Sequence, residues 1–441
     1  MEQVDILVSG GTVLTLDEKD TCIGCGAVAV RGDSIAAVGP AEELKARFSA
    51  RKTIDAAGCI VMPGLVNGHT HAAMTCFRGM ADDLKLEDWL QNYIFPAEAR
   101  NVRPELVYWG TLLACAEMIR SGTTTFCDMY IFEEETARAS KEAGVRCLAG
   151  EVLFDFPSPN FKTSDEGLKY TEDLIRRWAG DPLIGIVVEP HACYTCSDNL
   201  LARAKELADR YGVPYAVHLL ETKAERDGLI SKLGKSPVHF LAEKGILGPS
   251  VTAFHCVAMD EEDIRLFADH GCRIVHNPES NMKLASGVAP VPEMLAAGIA
   301  VGLGTDGCAS NNNLDMFQEM DMAAKLHKAW RLDPTVMSAD TVLKMATRMG
   351  AAALGMADRI GSLEPGKRAD IISIDLKKPH LTPLYREYSH LVYAAKGDDV
   401  RDVIINGRIV MENKQIRTLD EDKIISKGIS IAEKVKASLK Q

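Results

Sequence analysis

The sequence PGLVNGHTH, residues 63–71, ends an apolar run that begins at residue 59. This run is aliphatic and partly β-branched, which predicts a buried strand over 59–66. His69 and His71 follow the strand two residues apart, so both side chains can point to the same side. The stretch therefore predicts a strand whose carboxyl end carries two histidines.

Seven further apolar runs follow along the chain, and amphipathic helical patterns such as 105–122 and 198–212 separate them. The runs predict strands at 123–129, 145–150, 184–190, 215–220, 251–256, 273–276 and 300–304. Eight successive β-then-α units favour an α/β fold of the (β/α)8 TIM-barrel type over an open doubly wound sheet. The sequence has no glycine-rich turn typical of a nucleotide cofactor.

Both ends of the chain are rich in short β patterns broken by Gly and Asp turns. We therefore expect one small β-sandwich-like domain built from both termini, residues 1–59 plus 360–441. The barrel domain would occupy residues 60–359.

Composition excludes several classes of partner. A net charge of -12 argues against a nucleic-acid surface, which needs excess Lys and Arg. Neither a signal-peptide pattern nor an apolar stretch of roughly 20 residues is found. These features predict a cytoplasmic protein without a membrane partner. Exposed apolar faces on barrel helices lead us to expect a homodimer or homotetramer.

The chain has twelve cysteines, and two pairs have C-x-x-C spacing, Cys22/Cys25 and Cys193/Cys196. A second zinc site and a redox pair are both conceivable from this spacing. Neither pair has a thioredoxin-like context, so free thiols packed in the protein are favoured.

Seven polar residues fall at or near the carboxyl ends of the predicted strands, where barrel active sites lie. They are His69, His71, His191, His218, His255, His276 and Asp306. A set of three imidazoles and one carboxylate, from His69, His71, His218 and Asp306, suits one divalent ion. Zinc is favoured, and iron fits the same ligands.

The residues around this set predict hydrolysis. Asp306 can accept a proton from a metal-activated water, and Glu221 can carry protons to the substrate. His255 can polarise the bond under attack or stabilise the developing charge. His276 is open to two interpretations, a substrate contact or a packing residue.

The chain resembles the amidohydrolase superfamily through PGLVNGHTH (63–71), HLLE (218–221), HNPESNMKLASG (276–287) and GTDG (304–307). Residues 70–99 and 305–320 are most similar to 5-methylthioadenosine/S-adenosylhomocysteine deaminases. The resemblance implies the same four metal ligands, with Glu221, His255 and Asp306 in catalysis. It also implies that Glu98 binds the ribose hydroxyls, while Trp89 and His191 lie against the sugar and its 5′ group.

This resemblance implies hydrolytic deamination of a small nucleoside, namely 5′-methylthioadenosine, S-adenosylhomocysteine, 5′-deoxyadenosine or adenosine. Glu221, His276 and Asp306 would also touch the substrate. Residues 150–164 contain no arginine for a homocysteine carboxylate, and Lys162 cannot form the same two-pronged contact. Phe154, Phe156 and Phe161 in that stretch favour a small or thioether 5′ group. Alternatives are the same chemistry on guanine, a pterin or a chlorotriazine, or a barrel without enzymatic activity.

Overall fold

The computed structural model describes residues 1–84 and 86–439. Its strands, in chain order, are β1 (Glu2–Leu14), β2 (Cys22–Arg31), β3 (Ser34–Pro40), β4 (Phe48–Asp55), β5 (Cys59–Pro63), β6 (Leu65–Thr70), β7 (Thr123–Tyr130), β8 (Arg146–Leu153), β9 (Ile184–Ile186), β10 (Glu189–Pro190), β11 (Tyr215–Leu219), β12 (Val251–His255), β13 (Arg273–His276), β14 (Val301–Leu303), β15 (Ile371–Asp375), β16 (Val400–Ile405), β17 (Arg408–Glu412) and β18 (Gln415–Ile416).

The α-helices are α1 (Ala41–Arg47), α2 (Leu86–Trp89), α3 (Phe95–Asn101), α4 (Pro104–Arg120), α5 (Glu133–Ala143), α6 (Ser164–Arg177), α7 (Asp198–Tyr211), α8 (Lys223–Leu233), α9 (Pro237–Glu243), α10 (Glu261–Asp269), α11 (Pro278–Lys283), α12 (Val291–Ala296), α13 (Met316–Arg331), α14 (Ala339–Met345), α15 (Arg348–Ala353), α16 (Glu387–Tyr393) and α17 (Glu421–Ser438). A π-helical segment, Leu90–Ile94, joins α2 to α3. Among the helices of the described residues, none is both long and apolar enough to cross a bilayer.

Strands β6 to β14 form the predicted barrel in two parallel halves. One half contains β6, β7, β8, β9 and β10, and the other contains β11 to β14. Bridges between Val188 and Tyr215 and between Ala192 and His218 join the halves on one side. On the other side, the Asp306 amide donates to the His69 carbonyl at 3.0 Å. The first and last barrel strands therefore meet at the site residues.

The predicted first strand, 59–66, is in fact two strands that belong to different parts of the molecule. β5 pairs with β1 and β15 in the terminal sheet, whereas β6 pairs with β7 in the barrel. Gly64 lies between them, and a Cβ there would come within 2.1 Å of the Thr124 side chain. A continuous apolar run thus hides the junction, which falls after Pro63 instead of after residue 59.

The terminal strands form one continuous nine-stranded sheet instead of the two sheets of a sandwich. Strand β1 is long enough to pair with β4 over its first half and with β5 near its end. The sheet turns back on itself, because Ile35 of β3 exchanges backbone hydrogen bonds with residues 366 and 367, shortly before β15. Its core combines apolar side chains from both ends of the chain, including Val28, Val61 and Ile371.

Candidate active site

A cavity opens at the carboxyl ends of the barrel strands, where the active sites of this fold lie. Polar and apolar side chains line it together. They are His71, Met74, Trp89, Leu90, Ile94, Phe95, Glu98, Met129, Tyr130, Ile131, Val152, Phe154, His191, Tyr194, His218, Glu221, His255, Leu284, Asp306 and Ser310.

The four predicted metal ligands lie beside this cavity, and His71, His218 and Asp306 line it. His69 Nε2 lies 3.2 Å from His218 Nε2 and 3.5 Å from Asp306 Oδ1, and His71 Nε2 lies 3.2 Å from the same oxygen. Ligand atoms about 2.0–2.1 Å from a tetrahedral ion would be roughly 3.3 Å apart. The three measured distances are close to this value. Among the described residues, two groups have ligand atoms that all lie within 4.8 Å of one another, namely His69, His71 and Asp306, and His69, His218 and His255. The donor atoms of each group suit a divalent cation.

Burial sets the charge state of these ligands. It lowers the pKa of His69 to about 3 and that of His218 well below its usual value, which keeps both imidazoles neutral and able to bind metal. Burial opposes ionisation of Asp306 as well, but contacts with His69 and His71 hold its pKa well below the usual range. Asp306 is thus a carboxylate.

Asp306 is held from several directions. Its Oδ2 accepts a hydrogen bond from Ser280 Oγ at 2.6 Å, and its Oδ1 accepts one from the Gly307 amide at 2.8 Å. Its backbone has φ 60°, a left-handed conformation that costs energy for a residue other than glycine. Ser280 was not found from the sequence, because its only link to Asp306 is spatial.

His255 lies beside the ligand set, close enough to His69 and His218 for the three rings to share one ion. Two asparagines hold its ring, since Nδ1 lies 2.9 Å from Asn281 Oδ1 and 3.3 Å from Asn277 Nδ2. His255 also has positive φ, at 70°. Both asparagines belong to the quoted motif 276–287, but their contact with His255 was not predicted.

Glu221 lines the cavity next to the ligand set. Its Oε1 accepts a hydrogen bond from Ser286 Oγ at 3.4 Å, and burial raises its pKa. Glu225, another residue missed in the sequence, accepts from the Glu221 and Leu220 amides at 2.8 and 3.1 Å. A carboxyl group with a raised pKa next to the ligands can hold a proton for transfer.

Glu98 and Trp89 line the same cavity, as the resemblance implied. The Glu98 carboxylate is buried and accepts a hydrogen bond from the Tyr130 hydroxyl at 2.7 Å. Burial raises its pKa to about 7. Trp89 donates its indole N–H to the Ala81 carbonyl at 3.1 Å, which fixes the ring against the cavity.

His191 also lines the cavity, with Nδ1 2.8 Å from Thr195 Oγ1 and its ring 5.0 Å from that of Phe154. Of the three phenylalanines singled out in the sequence, Phe154 is the one that reaches the cavity among the described lining residues. Phe156 stacks on Phe154 at 4.6 Å and is 41% exposed. Phe161 is buried elsewhere, against Gly167.

The structure does not bring His276, one of the predicted substrate contacts, to the cavity. It is fully buried, and its Nε2 lies 3.3 Å from Nε2 of His327 on α13. The described residues that line the cavity do not include it. Its strand, β13, is almost entirely buried, so the sequence could not show which way this side chain points.

The cysteine pairs lie apart from the ligand cluster. Cys22 and Cys25 are exposed on β2, whereas Cys193 and Cys196 are buried behind His191. Within the described part of the chain, the groups able to hold a metal consist of barrel His and Asp residues. Cys193 and Cys196 are packed in the protein as predicted, whereas Cys22 and Cys25 are exposed instead of packed.

The closed barrel, with histidines and an aspartate at its carboxyl end, defines a hydrolase of the amidohydrolase type. The sequence profile of the Amidohydrolase family matches residues 60–410, and the chain belongs to this family. A shorter profile, an imidazolonepropionase-like composite domain of bacteria, matches residues 26–48 of the terminal sheet.

Individual relatives are similar over the whole chain. It is 62% identical to 5-methylthioadenosine/S-adenosylhomocysteine deaminase 1 of Syntrophus aciditrophicus, with both chains covered completely. It is 47% identical to a 5′-deoxyadenosine deaminase of Methanosarcina mazei, covering 98% of this chain and 99% of that one. A zinc-bound adenosine deaminase from Xanthomonas campestris has a similar structure, with a TM-score of 0.97, 39% identity and 99% of each chain covered.

These similarities confirm three predictions: the family, the barrel fold and the enzyme class, a hydrolytic deaminase. The residue roles given above, the oligomeric state and the cellular location stay predictions.

Proposed function

We propose that this amidohydrolase hydrolyses the 6-amino group of adenosine-type nucleosides, giving the inosine analogue and ammonia. Glu98 carries the proposal, because a buried carboxylate lines the same cavity as the His–Asp cluster. An ionised carboxylate accepts hydrogen bonds, so it suits the two neighbouring hydroxyls of a ribose, which guanine, a pterin and a chlorotriazine lack. The names of the nucleoside deaminase relatives support the same substrate class.

In the proposed site, His69, His71, His218 and Asp306 would hold one divalent ion, with zinc as our choice. Such an ion, when bound, supplies Lewis-acid chemistry that makes water nucleophilic near neutral pH. A relative of similar structure contains zinc. Elemental analysis of the purified protein should find about one zinc per chain. Iron in place of zinc would contradict the proposed metal.

The protein's own residues then move the protons. Asp306 accepts a proton from the water that attacks C6, while Glu221 donates one to the adjacent ring nitrogen. His255, held by Asn277 and Asn281, stabilises the charge that develops on the oxygen as it adds to C6. The new C6–O bond is kept. Asp306 returns its proton to N6, the C6–N6 bond breaks and the nitrogen leaves as ammonia, while the proton of the C6 hydroxyl passes back to Glu221 as the carbonyl forms.

The 5′ end of the cavity favours an uncharged substituent. Among the described residues that line the cavity, none is Lys or Arg, and Lys162 is exposed outside it. Phe154, backed by Phe156, provides apolar surface beside His191. We therefore propose that 5′-methylthioadenosine, 5′-deoxyadenosine and adenosine are better substrates than S-adenosylhomocysteine, whose carboxylate would lack a cationic partner.

Ammonia release from a panel of nucleosides, guanine, a pterin and a chlorotriazine tests the assignment. We expect Glu98→Ala to lose roughly 100-fold in kcat/KM on adenosine, because a charged hydrogen-bond partner is removed. Glu105→Ala, an exposed carboxylate at the start of α4, should behave as wild type. Faster turnover of a bare heterocycle, or full activity of Glu98→Ala, would contradict the proposal.

A further inference from the structure

Tyr130 ends strand β7 and contacts Glu98, a buried carboxylate that lines the cavity. Its hydroxyl donates to Glu98 Oε1 at 2.7 Å, and both side chains are buried while lining the cavity. Glu98 comes from α3 and Tyr130 from β7, 32 residues later in the chain. The pair therefore joins the helical segment over the cavity to the rigid barrel.

A hydrogen bond from a phenol fixes the orientation of a carboxylate. An ionised carboxylate offers about four lone-pair positions, and Tyr130 fills one of them on Oε1. The remaining positions suffice for two hydroxyl donors from a vicinal diol. Without the phenol, the Glu98 side chain could rotate, and binding would have to restrict that motion.

We propose that Tyr130 is a positioning residue for the sugar: it holds Glu98 so that the free carboxylate oxygen faces the ribose hydroxyls. This inference rests on the proposed nucleoside activity. Tyr130 acts only through Glu98, so its effect should appear with substrates that carry ribose hydroxyls and vanish with those that lack them.

The charge of Glu98 depends on the same contact. Burial raises the pKa of Glu98 to about 7, while the Tyr130 hydroxyl and the nearby His71 lower it. Below that pKa the group becomes a neutral acid, which accepts hydrogen bonds from two hydroxyls less strongly than the carboxylate does. Removing the Tyr130 hydroxyl should therefore raise the pKa further, and ribose binding should weaken near pH 7 and recover as the pH increases.

The test compares Tyr130→Phe with wild type on adenosine and on 2′,3′-dideoxyadenosine, from pH 6 to pH 9. On adenosine at pH 7 we expect kcat/KM to fall about 10- to 100-fold, mainly through a higher KM, because a hydrogen bond to a charged group is lost. The acid limb of the profile should move to higher pH. On dideoxyadenosine the variant and wild type should agree at every pH.

Tyr170→Phe is the matched control, because the Tyr170 hydroxyl contacts the Glu134 amide outside the cavity. Its loss should leave kcat/KM unchanged on both substrates. Equal losses on both substrates, or none on adenosine, would overturn the role of Tyr130.

Wild-type protein gives a second measurement that needs no variant: the KM for adenosine should rise as the pH falls through about 7. The KM for dideoxyadenosine should stay level, and parallel profiles would also overturn the inference. If wild type releases no ammonia from either nucleoside, the proposed function itself fails.

Discussion

At the scale of single residues, Asp306 gives its two carboxylate oxygens to different partners. Oδ1 faces the imidazoles of His69 and His71, whereas Oδ2 accepts the short hydrogen bond from Ser280. Ser280 itself is fully buried on α11 and also lies 3.2 Å from Ser310 Oγ. In the proposed site, a carboxylate fixed in this way would need little reorganisation when an ion binds.

Ser280→Ala should weaken zinc binding about 10- to 100-fold, because a hydrogen bond that orients a ligand is lost. Competition with a chromogenic chelator measures this directly. Ser373→Ala is the matched control, since Ser373 donates to Asp402 at the same 2.6 Å in the buried terminal sheet. The control should lower the melting temperature without changing zinc affinity. Equal zinc affinity in both variants would argue against the role of Ser280.

These residues also show how far the sequence predicts the site. His69, His71, His218 and Asp306 could be found because strand ends and i, i+2 spacing are local features. Ser280 and Tyr130 could not, since their partners lie 26 and 32 residues away and no periodic pattern links them. For His276 the sequence left substrate contact and packing open, because a buried strand carries no polar side to show its orientation, and its contact with His327 favours packing.

At the scale of elements, a buried ion pair connects the barrel to the terminal sheet. Arg146 at the start of β8 contacts Asp370, just before β15, with Nε–Oδ2 at 3.1 Å and Nη2–Oδ1 at 3.2 Å. The guanidinium also donates to the Pro182 carbonyl at 2.7 Å, and Asp370 accepts from the Asn406 amide at 2.7 Å. One two-pronged contact thus ties together segments from both parts of the fold.

Arg146→Ala should lower the free energy of unfolding by about 3–5 kcal/mol, because it leaves the Asp370 charge buried without a partner. Chemical denaturation followed by fluorescence checks the value. Replacing both partners, as Arg146→Met with Asp370→Leu, should recover part of the loss. Arg203→Ala breaks an exposed pair with Asp165 and should cost at most about 1 kcal/mol. Similar losses for Arg146→Ala and Arg203→Ala would contradict the expectation.

Elements were predicted better than their boundaries. The eight barrel strands follow from apolar runs separated by amphipathic helices, and all are present. The prediction of one strand over 59–66 was wrong because these residues are buried throughout. Their polarity therefore does not mark the change of sheet at Gly64. The curling of the terminal sheet depends on long-range pairing between β3 and residues 366–369, which single-sequence patterns do not encode.

At the scale of the whole molecule, the ligand set lies where the barrel closes. His69 lies at the end of β6, and His71 directly follows that strand. Asp306 follows β14, and His218 belongs to β11, both in the second half of the barrel. An ion bound by all four would link both halves of the barrel. Its binding energy would therefore add to the stability of barrel closure.

Removing the metal with a chelator should lower the melting temperature by several degrees, and added zinc should restore it. At a free ion concentration of about 1,000 Kd the linkage amounts to about 4 kcal/mol. Calorimetry measures the shift, and His218→Ala should melt at the metal-free temperature with or without zinc. His239→Ala, on the outer helix α9, should respond as wild type does. Coincident melting of the metal-free and zinc-loaded proteins would contradict a metal that joins the two halves.

The terminal sheet has a consequence for biosynthesis. Strands β1 to β5 leave the ribosome first, but β15 and β16, which complete their core, follow only after roughly 300 further residues. At ~5–20 residues per second, translation of that interval takes roughly 15–60 s. During this time the apolar faces of β1 to β5 lack the strands that complete their core, because the whole barrel is synthesised before β15 and β16. Chaperone binding to the nascent chain should accordingly concentrate on residues 2–63.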